Sequence, residues 1–116
     1  MSKFEYENGE VEIGNWTVLY EPPNGGHYNG RLYVTNKNLY YDAKFDVTLS
    51  GFIENALFVK TGSEGYLFIP KSRIKSVIPK KSMFKKKILV TLDNDEIHTF
   101  DYGMLNIDKI VEAIKS

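Results

Sequence analysis

Residues Gly30 to Asp42 read GRLYVTNKNLYYD, and this stretch decides the fold. Leu32 and Val34 alternate with Tyr33 and Thr35, and Leu39, Tyr40 and Tyr41 resume after the polar run Thr35-Asn36-Lys37-Asn38. Alternation at a period of two puts one set of side chains on a buried face and the other set outside. A short Asn-containing run between two such segments turns them back on each other. The stretch predicts a tight antiparallel hairpin with one buried face.

Upstream, Trp16 to Tyr20 (WTVLY) is β-branched and aromatic and predicts a strand. It must stop at Glu21-Pro22-Pro23-Asn24-Gly25-Gly26, because paired prolines followed by Asn-Gly-Gly turn the chain. Residues 1–14 are predominantly polar and acidic and are expected to form a loosely held arm or an extra edge strand, outside a domain running from 15 to 116. Downstream, Ala43 to Gly51 predicts a connection or a marginal strand, and Ala56 to Lys60 and Tyr66 to Ile69 predict strands around the turn Thr61 to Gly65. Ile88 to Leu92 and Ile97 to Phe100 flank Asp93-Asn94-Asp95-Glu96, a hairpin turn. After Gly103 the period changes. Ile107, Ile110, Val111 and Ile114 fall at i, i+3, i+4 and i+7, the stripe of an amphipathic helix, with Asn106 as N-cap, Asp108 in the first turn and Lys115 near the end.

Two strings within this order carry a resemblance. Gly30-x-Leu32-Tyr33-x-Thr35-Asn36-x-x-Leu39 resembles the hairpin of the GRAM branch of the pleckstrin-homology-like fold. Ile69-Pro70-x-x-x-Ile74-x-x-Val77 resembles a second element of the same families, in which a strand bends at the proline and crosses to the other sheet. The resemblance implies a small single-domain member, mainly β with one C-terminal α-helix: a partly open barrel of two near-orthogonal antiparallel sheets capped by the helix. It also implies a binding module rather than an enzyme. Phosphoinositide-binding domains of this kind resemble one another in carrying basic residues on the loop between the first two strands. Here that loop, Glu21 to Gly30, offers only His27, with Arg31 just beyond it.

Composition agrees with one small domain. A chain of 116 residues, 42% hydrophobic and 14% aromatic, buries one core and is too short for two. Without cysteine it has neither disulfides nor thiolate metal ligands, and a reducing compartment fits it. No stretch approaches a membrane span and the N-terminus carries no apolar leader, so a cytoplasmic protein, at most peripheral at a membrane, is expected.

Net charge is zero, yet eight of the 15 basic residues lie between Lys71 and Lys87, where no acidic residue occurs. The other 99 residues therefore carry seven basic side chains against fifteen acidic ones, and such a polarised molecule attracts anions locally. Within the segment, Lys80-Lys81-Ser82-Met83-Phe84-Lys85-Lys86-Lys87 sets an apolar pair between two lysine clusters. One reading is a loop that dips into an anionic bilayer surface, with Arg73 and Lys75 adding to the anion site. The other is a solvated hairpin loop whose Phe84 folds back on the sheet and whose lysines discourage edge pairing. A protein partner or self-association, through a sheet edge or the tyrosine-rich first hairpins, is the alternative function. Nucleic acid is disfavoured because the rest of the surface is acidic.

No catalytic constellation, cofactor motif or metal site is read from the sequence. Asp93, Asp95, Glu96 and His98 lack the glycine and glutamate spacing of a calcium loop and read as a hairpin turn. His27 and His98 are too far apart to suggest zinc.

Overall fold

The hairpin expected at Gly30–Asp42 forms in the computed structural model, which describes residues 4–23, 25–43, 58–61 and 64–116. Its strands are β2 (Tyr28–Thr35) and β3 (Asn38–Asp42), with Val34 opposite Leu39 and Leu32 opposite Tyr41. The turn does not need left-handed backbone at Asn36 or Lys37, since Asp95 is the one described non-glycine residue with positive φ. Instead the Thr35 hydroxyl closes it, accepting from the amides of Lys37 (3.1 Å) and Asn38 (2.9 Å). Gly30 is required for a different reason: a methyl group there would lie 2.3 Å from the carbonyl oxygen of Asp42, so β3 can come this close only to a glycine.

Around this pair run β1 (Glu12–Glu21), β4 (Phe58–Thr61), β5 (Glu64–Pro70), β6 (Ile74–Lys81), β7 (Lys86–Leu92), β8 (Ile97–Asp101) and the helix α1 (Asp108–Lys115). The expected connection over 44–51 and the first residues of the strand expected at 56–60 lie outside the described residues. Hydrogen bonding joins the eight strands among the described residues into one antiparallel sheet of order β4-β5-β3-β2-β1-β8-β7-β6, and the sheet is not closed between β4 and β6. Where two sheets were expected there is one, because Leu19 and Tyr20 of β1 pair with β2 on one side and β8 on the other. After Pro70 a short 3-10 turn, Lys71–Arg73, carries the chain from β5 to the opposite edge strand, β6. Pro79 is tolerated in β6 because an edge strand has one side free of a ladder.

The core forms on the inner face, where Val18, Tyr20, Leu32, Val34, Leu39, Tyr41, Leu67, Ile69, Ile88, Val90, Leu92 and Phe100 meet the helix. Helix α1 contributes Ile110, Ala113 and Ile114, and Ile107 joins them from its N-cap, with Ala113 lying deeper than Val111 in the expected stripe. The N-cap position falls at Ile107 rather than at the expected Asn106, and Asn106, one residue earlier, instead closes the approach to the helix, its Oδ1 accepting from the Asp108 amide at 2.8 Å. At the other end the Lys71 ammonium donates to the carbonyl of Ala113 at 2.7 Å, a cation on the negative end of the helix.

Asn38, Leu39, Tyr40 and Tyr41 are all buried, so β3 is covered on both faces. The outer cover is the segment before β1, which is neither loose nor a strand in its described residues. Phe4 stacks on Tyr40 with centroids 4.6 Å apart and meets Tyr33 and Tyr66 edge-on. The buried Glu10 carboxylate accepts from the Tyr40 hydroxyl (2.8 Å), Asn38 Nδ2 (2.9 Å) and the Thr35 hydroxyl (2.5 Å), and from the Glu7 amide (2.9 Å). Burial pushes the Glu10 pKa up, but these hydrogen bonds outweigh it and hold the carboxyl below its usual range. Asn36 fastens the same segment, accepting from the Val11 amide at 2.8 Å.

On the inner face the Tyr20 hydroxyl lies 2.6 Å from His98 Nδ1, and His98 Nε2 lies 3.2 Å from Glu96 Oε1. Burial raises the pKa of Tyr20, so the phenol keeps its proton and donates it to Nδ1, leaving the Nε2 proton for Glu96. Burial, with help from Arg73 and against the pull of Glu96, lowers the pKa of His98 below its usual 6.5.

Two expectations follow from these polar clusters. Glu10→Ala removes the acceptor shared by the Thr35 and Tyr40 hydroxyls and Asn38 Nδ2, leaving the Tyr40 hydroxyl stranded and the other two on longer bonds, and should cost about 2 kcal/mol in a urea titration, with Glu10→Gln intermediate. Because the folded pKa of His98 is depressed, the unfolded chain takes up the proton first. This contribution to stability is complete above about pH 6.5 and falls away as pH drops toward the lowered folded value. Urea midpoints measured between about pH 7.5 and pH 5.5 should decline for the parent and stay flat in that window for His98→Asn, even if that variant is less stable throughout.

Candidate functional site

Strands β6 and β7 form a hairpin at the edge of the sheet, joined through Ser82-Met83-Phe84-Lys85. Ser82 closes this turn: its amide and its hydroxyl both donate to the Lys85 carbonyl (2.8 Å each), and its Oγ lies 3.1 Å from the Lys85 amide. Closed this way, the turn leaves Met83 and Phe84 at the tip, 78% and 68% exposed. Phe84 therefore does not fold back onto the sheet.

The last two rungs of the hairpin set lysine opposite lysine, Lys80 with Lys87 and Lys81 with Lys86. Like charges facing each other across a ladder repel, and acids or carbonyls from elsewhere offset most of this. Lys81 reaches Asp108 at the start of α1 (2.7 Å), Lys87 reaches Glu21 at the end of β1 (3.1 Å), and Lys86 donates to the Met104 carbonyl (3.2 Å). Lys80 and Lys85 have no partner among the described residues. A concave basin of about 330 Å³ lies here, lined by Lys80, Lys81, Ser82, Lys85 and Lys87. Two unneutralised ammonium groups and a serine hydroxyl on such a concavity suit an anion with several oxygens.

Arg73 and Lys75 do not join this group. They sit at the other end of the hairpin, where Arg73 donates to Asp93 through Nε (3.2 Å) and one terminal nitrogen (3.0 Å), and Lys75 meets Asp95 at 2.7 Å. Five residues of strand separate Lys75 from Lys80, roughly 16 Å. Asp93-Asn94-Asp95 forms the β7–β8 turn, with Asp95 in left-handed conformation (φ 70°), its amide bonded to the Leu92 carbonyl and Glu96 turned to His98. Among the described residues no group of three His, Asp or Glu side chains could hold a metal ion. The first interstrand loop supplies no basic pocket either: His27 faces Glu21 at 3.6 Å and Arg31 donates to Asn15 at 2.5 Å.

No described helix is long and apolar enough to cross a membrane. No protein-family model matches the chain, and a search of curated proteins finds none of significant similarity.

Ser82 and Glu21 are the site residues that the sequence pattern leaves out. A serine opening a turn is a recognisable closing group, but a glutamate 66 positions from its lysine has no signal in a charge run. Since Met83 and Phe84 make no core contact, Met83→Ser and Phe84→Ser should each change stability by less than about 0.5 kcal/mol, read as unchanged urea midpoints.

Proposed function

We propose that this chain is a GRAM-like, pleckstrin-homology-type domain, a partly open barrel capped by α1, that works by binding rather than catalysis and associates peripherally with anionic lipid at a cytoplasmic membrane surface. One observation supports the reading: a turn exposing Met83 and Phe84 is collared by five lysines, and Lys80 and Lys85 among them have no carboxylate partner among the described residues. Each lysine near an anionic surface contributes about 1 kcal/mol. Lys81 and Lys87 already hold carboxylates, so Lys80, Lys85 and in part Lys86 supply most of the attraction. The association should be weak and screened over a Debye length of about 10 Å at 0.1 M salt.

Self-association receives less support. Tyr20, Tyr40 and Tyr41 of the tyrosine-rich hairpins are buried, which removes them from any interface. The β6 edge carries Pro79, Lys80, Lys81 and a register irregularity between Ile74 and Ser76, features that block strand addition.

Lys80→Ser with Lys85→Ser removes charge without breaking an ion pair among the described residues. The parent should sediment with phosphatidylserine-containing vesicles and not with neutral ones at about 0.1 M salt, and lose most of that binding at about 0.5 M. The double variant should bind roughly thirtyfold more weakly. Equal sedimentation with neutral and anionic vesicles, or none with either, would sink the lipid reading.

A further inference from the structure

We infer that the loop between β8 and α1 is a second membrane contact, in which Met104 and Leu105 enter the same anionic bilayer beside Met83 and Phe84. This rests on the lipid-surface reading above. The loop is held against the start of β7, next to the hairpin turn: the Lys86 amide donates to the Gly103 carbonyl (2.7 Å), the Tyr102 amide to the Lys86 carbonyl (3.0 Å), and the Lys86 ammonium to the Met104 carbonyl (3.2 Å). Asp101 Oδ1 accepts from the Gly103 amide (2.7 Å), the Leu105 amide donates to the Tyr102 carbonyl (3.2 Å), and Gly103 takes a positive φ of 65° that its lack of a side chain permits. A turn so fixed could have pointed its apolar residues inward. Met104 and Leu105 are instead 65% and 59% exposed.

Eight large apolar side chains are exposed among the described residues, and four of them, Met83, Phe84, Met104 and Leu105, belong to these two adjoining turns. Lys80, Lys81, Lys85, Lys86 and Lys87 border them, and Lys109 follows one residue after Asp108. The acids within and flanking the two turns are already engaged: Asp101 is buried on the Gly103 amide, and Asp108 holds Lys81. Apolar side chains ringed by cations match an anionic bilayer, whose phosphates meet the lysines while its acyl boundary takes the apolar tips. Asp93, Asp95 and Glu96 lie at the far end of β7, roughly 20 Å away, where repulsion from the same surface turns them outward. Two contact points, rather than one flexible tip, set the orientation of the domain on the surface.

Met104→Ser with Leu105→Ser leaves every lysine in place and removes only exposed groups, so the fold is preserved. Against phosphatidylserine-containing vesicles its affinity should fall about tenfold from that of the parent. The chain has no cysteine, so Leu105→Cys and Asn94→Cys each accept a single environment-sensitive fluorophore. The label at 105 should shift to the blue on these vesicles and the label at 94 should not. If the parent binds, but the double variant binds equally well and the label at 105 is silent, the second contact is wrong and the lipid reading stands. If the parent itself fails to sediment with anionic vesicles, both fall.

Discussion

Three residues of β1, Leu19 to Glu21, hold the architecture together. Leu19 and Tyr20 are hydrogen-bonded to strands on both sides, joining the half built on β2, β3 and β5 to the half built on β6, β7 and β8. Tyr20 is fully buried between these halves, against Tyr41 from one and His98 and Phe100 from the other. Glu21, the next residue, reaches Lys87 and so ties the basic hairpin to the same junction. A break in this short ladder would separate the surface hairpin from the core that orients it. Helix α1, touching β1, β2 and β6, bridges the same two halves from the inner face.

Much of the fold was legible because its signals are local. Alternation in Leu32–Val34, the punctuation of Pro22-Pro23, the Asn94-Asp95 turn and the stripe of Ile107, Ile110 and Ile114 each depend on neighbours a few residues away. Strand β6 was harder to see. Ile74, Val77 and Ile78 do not alternate, and Pro79 hides the strand that an edge position allows, so the Lys80–Lys87 loop shrinks to four residues. The packing of the first described residues was also hidden. Phe4 and Glu10 matter because they meet Tyr40, Thr35 and Asn38, about thirty positions later, and polar composition cannot announce such a contact.

The site was legible as a charge run and illegible as a charge balance. Which lysines remain unneutralised depends on Glu21 and Asp108, brought in by the pairing of β1 with β8 and the docking of α1. Arg73 and Lys75 belong to the same run but face the acids of the β7–β8 turn, because a strand carries its two ends to opposite sides of the molecule. Met104 and Leu105 resemble an ordinary approach to a helix until Lys86 is seen to draw their loop against the hairpin.

The facing lysines of the last two hairpin rungs have a further consequence. Lys80 opposite Lys87 and Lys81 opposite Lys86 make the outer end of this ladder self-repelling in the free molecule, whereas the β7–β8 turn is crossed by matched charges. Added salt screens the repulsion between the facing lysines together with the Lys81–Asp108 and Lys87–Glu21 pairs that offset it, whereas at the β7–β8 turn it screens attraction alone. The two ends of one strand, β7, thus respond to ionic strength to different degrees, the turn with Asp93 and Asp95 more than the lysine end, without any change in the net charge of the protein.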